Sequence, residues 1–178
     1  MILPEIRLKE LFATLPVVTL GSKSAKVIYG FGTQTDLYKF LNKKRKEVSE
    51  LGGNIYPILW LETGFKTSGS DKQIEFPCEL ILATLTTSER TNEQRVDTTF
   101  KQQLIPVFDN IKTAFRKSGF TTVKRDSARK SESAFDVTRY YNYGTDDDGS
   151  HQTTDIWDAM KIGCGLIMTD QCQREFNY

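Results

Sequence analysis

The chain reads as an α+β fold, a largely antiparallel sheet of about four to six strands packed against one long helix and a shorter basic helix. Three observations predict it. Between Thr91 and Gly119, the apolar residues Val96, Phe100, Leu104, Val107, Phe108, Ile111 and Phe115 recur at steps of three and four. That spacing gathers side chains on one helical stripe, which needs a sheet to lie against. Cys78–Leu85 is apolar at nearly every position, as expected of a strand covered on both faces. Further extended segments at Ile55–Leu61, Phe120–Lys124, Phe135–Tyr143 and Asp155–Thr169 complete the sheet.

The long helix carries its own boundaries. Thr91 followed by Gln94 has the form of a capping box, and Lys117-Ser118-Gly119 offers a basic last turn and a glycine for a left-handed stop. Its length is roughly 40 Å at about 1.5 Å per residue. Pro106 lacks a donor and crowds the carbonyl of Gln102, so a kink is expected there.

Upstream, Pro4 opens a short helix with Leu8, Leu11, Phe12 and Leu15 on one face, ended by Pro16. Val17–Leu20 and Lys26–Phe31 are short extended pieces. Gly30-Phe31-Gly32 reads as a turn and lacks the glycine pattern of a phosphate loop. A helix from about Asp36 to Leu51 turns Leu37, Phe40, Leu41, Val48 and Leu51 inward, and Gly52-Gly53 stops it. Pro57 places the next strand at an edge or near an irregularity. The polar stretch Glu62–Gln73 reads as a long hairpin or loop, a candidate arm for touching a neighbour. Gly163 and Gly165 predict an irregularity in the final strand. The whole is one domain, residues 1–178. Residues 1–53 form an N-terminal extension or subregion and residues 54–170 the α+β core.

Composition bounds the function. The 178 residues are 38% hydrophobic and 26% charged, with 24 basic and 23 acidic side chains and a formal charge of +1. Bulk charge therefore gives no argument for nucleic acid. No apolar run reaches the roughly 18 residues of a membrane span, and the first residues lack a secretory pattern. Cys78, Cys164 and Cys172 are an odd set without a paired Cys-x-x-Cys, and read as buried thiols of a reducing compartment.

No catalytic set emerges, and the chain is read as a non-enzyme. The single histidine, His151, follows Asp146-Asp147-Asp148-Gly149-Ser150. A calcium loop starting at Asp146 would need a glycine where His151 stands and a glutamate where Trp157 stands. A solvated acidic loop is the first reading, an acidic face for a basic partner the second, and a metal site the last. Ser150 beside His151 says nothing of nucleophilic geometry. Glu62, Glu75 and Glu79 would supply paired carboxylates only at a separation that the sequence does not fix.

Charge runs offer contact surfaces instead. Lys43, Lys44, Arg45 and Lys46 read as a hydrated helix face, with an acidic protein interface and phosphate contact as alternatives. Phe65, Lys66 and Lys72 are the contact candidates of the polar arm. Lys124, Arg125, Arg129 and Lys130, with Arg116 and Lys117, form a second basic concentration. Residues 144–160 hold Asp146, Asp147, Asp148, Asp155 and Asp158 and no Lys or Arg. Opposed local signs either orient identical copies head to tail or neutralise each other within one subunit. Tyr140, Tyr141 and Tyr143 beside Arg139 read as core or edge packing, then as a protein interface; simple alternation sets Tyr141 and Tyr143 opposite Tyr140.

The order of these segments resembles the neck or tail-completion proteins, tail terminator-like, of tailed bacteriophages, in particular phages of Bacteroidetes-like hosts. The resembling pieces are Asn54-Ile55-Tyr56-Pro57-Ile58-Leu59-Trp60-Leu61, Cys78-Glu79-Leu80-Ile81-Leu82-Ala83-Thr84-Leu85, Ser88-Glu89-Arg90-Thr91-Asn92-Glu93-Gln94-Arg95 and Asp155-Ile156-Trp157-Asp158-Ala159-Met160-Lys161-Ile162. The extra material of residues 1–53 and the long Glu62–Gln73 segment depart from a compact terminator subunit. The resemblance implies a structural virion protein without reaction or cofactor, built in the host cytoplasm into a homo-oligomeric ring of six or twelve subunits. Its partners would be portal, neck or tail proteins, with unspecific DNA contact in a lumen and no membrane. The alternatives are a non-viral oligomeric scaffolding protein and, less favoured, a nucleic-acid-binding module using residues 43–46.

Overall fold

A computed structural model gives the fold of residues 2–20, 23–51, 57–124, 134–144 and 156–170; the side chains of residues 20, 23, 25 and 44–51 lie outside that description. In chain order the elements are α1 (Pro4–Phe12), β1 (Val18–Leu20), β2 (Lys23–Ala25), β3 (Ile28–Gly32), α2 (Gln34–Leu51), β4 (Ile58–Glu62), β5 (Ser68–Ser70) and β6 (Gln73–Thr86). There follow α3 (Asn92–Arg95), a π-helical segment (Val96–Leu104), α4 (Ile105–Lys117), β7 (Thr121–Lys124), β8 (Asp136–Tyr143) and β9 (Ile156–Thr169). The fold is α+β, as expected. Among the described residues its sheet has seven strands, more than the four to six expected, and β1 and β2 form a separate hairpin. No helix among the described residues is long and apolar enough to cross a membrane.

Strands β6 and β9 form the spine. They pair antiparallel without a register break from Gln73↔Thr169 to Thr86↔Ile156. The irregularity expected at Gly163 and Gly165 is therefore absent from this ladder. On the outer side of β6, β5 pairs with residues 73–75 and β4 with residues 80–83. On the outer side of β9, β8 ends opposite Gly163 and β7 ends opposite Gly165. The two glycines mark the place where one flanking strand gives way to the other.

Helices cover both faces. Alternation sends Phe76, Cys78, Leu80 and Leu82 of β6 and Met160, Ile162, Leu166 and Met168 of β9 to one side. There they join Phe100, Leu104, Val107, Ile111 and Phe115 of the long helix and Leu8, Leu11, Phe12 and Leu15 of α1. On the other side Ile58, Trp60, Ile81, Ala83, Trp157 and Ala159 meet Leu37 and Leu41 of α2. Leu80–Thr84 are accordingly buried at every position, which is why that stretch shows no alternation. Phe108, placed on the same stripe by its spacing, is only half-buried and meets Phe135 edge-on.

The described part of residues 1–53 is joined to the core by α1, by β3 and by α2, and the Tyr29 hydroxyl ties β3 to α1 by donating to the Glu5 carbonyl. Gly30-Phe31-Gly32 is the end of strand β3 rather than a turn; it pairs parallel to β4. Glycine is required at position 30 because the Trp60 ring lies over it, 2.5 Å from where a Cβ would stand. The indole donates to the Gly32 carbonyl at 3.2 Å. With strands on both sides, β4 is interior, so Pro57 does not mark an edge; it stands just before the strand, where its carbonyl accepts from Ile28. Within residues 62–73, expected to form a long hairpin or loop, 63–67 are irregular and β5 turns back on β6 in a short hairpin.

Helix α2 starts two residues earlier than the sequence reading placed it. Thr33 and Asp36 bond reciprocally, the hydroxyl accepting from the Asp36 N–H and the carboxylate from the Thr33 N–H and hydroxyl. Those bonds hold the Asp36 carboxyl below the usual carboxylate range. In α3 the capping box forms as the sequence predicts, with Thr91 and Gln94 exchanging bonds. Gly119 closes α4 at φ +71°.

Candidate functional site

The described residues that are both polar or charged and buried are Thr84, Thr86, Arg95, Thr99 and Asp158. They collect at one place, under α3 and the π-helical segment. Arg95 is 3% exposed and Asp158 is fully enclosed. Their charged groups stand 3.4 Å apart. The guanidinium also donates to the carbonyls of Thr87 and Arg90 and to the side chain of Asn142. Thr84 donates to Gln103 at 3.1 Å.

Asp158 Oδ2 and the hydroxyls of Thr86 and Thr99 are buried without a hydrogen bond of sound geometry. Both hydroxyls nonetheless stand close enough to favour the carboxylate's charged form. Burial outweighs that help and the attraction of Arg95, and holds the Asp158 carboxyl above its ordinary range.

Two local irregularities build this node. The first is the π-helical winding. Its final bond runs from the Ile105 N–H to the Phe100 carbonyl, one residue before Pro106. The proline then occupies the first turn of α4, where its missing donor is tolerated. The disruption expected at Pro106 is thus taken up by a change of winding, which lets neighbouring Thr99 and Phe100 both turn inward. The second is a bulge in β8, where Tyr140 faces Ala159 but Tyr143 faces Trp157. One extra residue, Asn142 at φ 56°, occupies the gap and presents its amide to Arg95. The bulge also overturns simple alternation among the tyrosines. Tyr140 and Tyr143 now touch each other, and Tyr141 meets Phe100.

The sequence reading missed this node. Its signal was present: Arg95 and Thr99 continue the apolar stripe of the long helix, and Asp158 has the parity of Met160 and Ile162 on β9. Asp158, counted with the acidic surface of residues 144–160, belongs to the interior.

The contact candidates are scattered. Phe65 is half-buried and its ring lies 4.8 Å from Phe76, so it pins the hairpin to the core instead of standing free. Lys66 and Lys72 are exposed on that hairpin. Lys124 pairs with Glu75 in the same subunit. Lys43 is exposed on α2. The side chains of Lys44, Arg45 and Lys46, and all of Arg125, Arg129, Lys130, Asp146, Asp147, Asp148 and His151, lie outside the described residues.

Glu62 and Glu79 come together, but Lys161 stands between them at 3.2 and 2.7 Å. The bond to Glu79 raises the Lys161 ammonium further above its usual range, and this single ammonium bridges the two carboxylates. Among the described residues no group of three or more His, Cys, Asp or Glu is placed to hold a metal.

Comparison with family models finds no match to this chain, and comparison with curated proteins finds none either.

Proposed function

We propose that the chain is a structural virion protein that forms or joins an oligomeric ring at the neck or tail end of a tailed bacteriophage. One observation supports assembly above all. Strand β8 exposes seven of its eight residues, and its outer side meets no other strand among the described residues. It carries Val137, Tyr140 and Tyr141 at 37–39% exposure. The bulge at Asn142 blunts one end of this edge, and the open stretch Asp136–Tyr140 before it is the template for pairing with another chain. Residues 66–73, exposed throughout, add a second candidate surface. The phage setting itself rests on the resemblance of segments.

Imaging of assembled particles tests the proposal: the chain is expected in the neck or tail. Its absence from those positions would refute the virion reading, and recovery in a ring of non-viral origin would favour the scaffolding alternative. Binding of a short DNA duplex at physiological salt should be negligible. Submicromolar binding abolished by charge reversal at residues 43–46 would instead support the nucleic-acid reading.

A further inference from the structure

Two of the chain's three cysteines face each other across the spine. Cys78 of β6 and Cys164 of β9 are direct register partners, and both are thiols. Directly opposed residues of an antiparallel pair have Cα atoms about 4.5–5.5 Å apart, inside the range of about 4.4–6.8 Å that a disulfide spans. Their side chains share the face toward the long helix, where both join the same apolar cluster.

The surroundings make closure accessible. A cross-strand pair has Cβ atoms about 4.5–5.5 Å apart and a disulfide about 3.5–4.5 Å, so the strands must draw together by roughly 1 Å. Among the described residues, no outer strand pairs with the spine at this point. Strand β5 ends on β6 opposite Glu75 and β4 begins opposite Leu80, while neither β7 nor β8 pairs with residue 164. Gly163 and Gly165 flank Cys164, and Pro77, which has no N–H for the ladder, precedes Cys78. No described outer strand restrains the ladder where the two thiols meet.

We propose that Cys78 and Cys164 form a reversible dithiol–disulfide site that reacts with low-molecular-weight disulfides. Cys164, half-buried, is the entry point, and Cys78, fully enclosed, resolves. The Cys164 thiolate attacks one sulfur of the small disulfide, forming a mixed disulfide and expelling one small thiolate. The Cys78 thiolate then attacks the Cys164 sulfur, forming the cross-strand bond and expelling the second. The two protein thiols lose two electrons and two protons; the small disulfide gains both and leaves as two thiols. The contact with Cys164, followed by burial, pushes the Cys78 thiol up, which keeps it protonated, slows its attack and leaves the first step to Cys164. This site stands independently of the virion reading.

The test treats the reduced full-length chain with oxidised glutathione under native conditions. The wild type should lose two hydrogens in intact mass and yield a Cys78–Cys164 linked peptide, reversed by dithiothreitol. Cys78→Ser should stall as a glutathione adduct on Cys164, Cys164→Ser should form neither adduct nor link at Cys78, and Cys172→Ser should behave as wild type. Circular dichroism of each variant before treatment confirms the fold. A wild type that does not react, that stops at the adduct, or whose link requires Cys172 would overturn the proposal.

Discussion

The two ends of the long helix lie on the same face of the same sheet, yet they are held by different chemistry. At the α4 end Val107, Ile111 and Phe115 are buried against Met168, Leu166 and α1, a contact that depends on area and shape. At the other end the stripe continues through Arg95 and Thr99 onto Asp158 and Thr86. Apolar packing tolerates small slides, whereas a guanidinium shared among two carbonyls, an amide and a carboxylate fixes one register. The difference teaches that the helix is gripped at one end and indexed at the other.

Substitutions at the two ends should divide accordingly. Phe115→Ala removes an enclosed ring and is expected to cost about 3–5 kcal/mol, through lost transfer energy and an unfilled cavity. Phe108→Ala, two turns away and half-exposed, should cost about half as much; equal losses in thermal unfolding would contradict the burial assigned to the two rings. At the polar end Arg95→Ala leaves an enclosed carboxylate and carbonyls without their donor and should cost about 3 kcal/mol, while Arg95→Met with Asp158→Leu should recover much of the loss. A double variant no better than the single would show that the node contributes more than paired charge.

Asp158→Asn should be the mild change, and it carries a pH signature. Because the folded-state pKa is raised, the folded protein holds that proton more tightly than the unfolded chain does. The stabilisation is complete below the unfolded value and is lost as pH rises through the folded one. The variant's stability relative to wild type should therefore increase with pH across that window; a flat difference in denaturant titrations at several pH values would reject it. Thr91→Ala should cost about 1 kcal/mol by removing the cap that starts the indexed end. Lys43→Ala, on an exposed turn of α2, should change stability by less than about 0.5 kcal/mol.

What could be read from the sequence follows the same division. The apolar stripe from Phe100 to Phe115, the capping box at Thr91, the stop at Gly119 and the doubly covered strand through Leu80–Thr84 all rest on local periodicity or local bonding, and all are present. The polar node joins residues from α3, β6, β8 and β9, and depends on a π-helical winding and a bulge that no spacing rule anticipates. The parallel β3 was misread for a related reason: Gly30-Phe31-Gly32 has the composition of a turn, and only the ring of Trp60 explains it. Scored by charge alone, Asp158 looked like surface.

The continuous pairing of β6 with β9 has a consequence for the newborn chain. β3, α2 and β4 are consecutive and can associate as soon as they leave the ribosome. The sheet's central partner, β9, is made after every other described strand. Until translation passes Thr169, β6 has no neighbour along most of one edge, and the apolar stripe of the long helix has only part of its floor. Contacts between distant segments close slowly, and exposed strands invite wrong partners in the meantime. Protection from self-association should be needed most in the interval between synthesis of β6 and synthesis of β9.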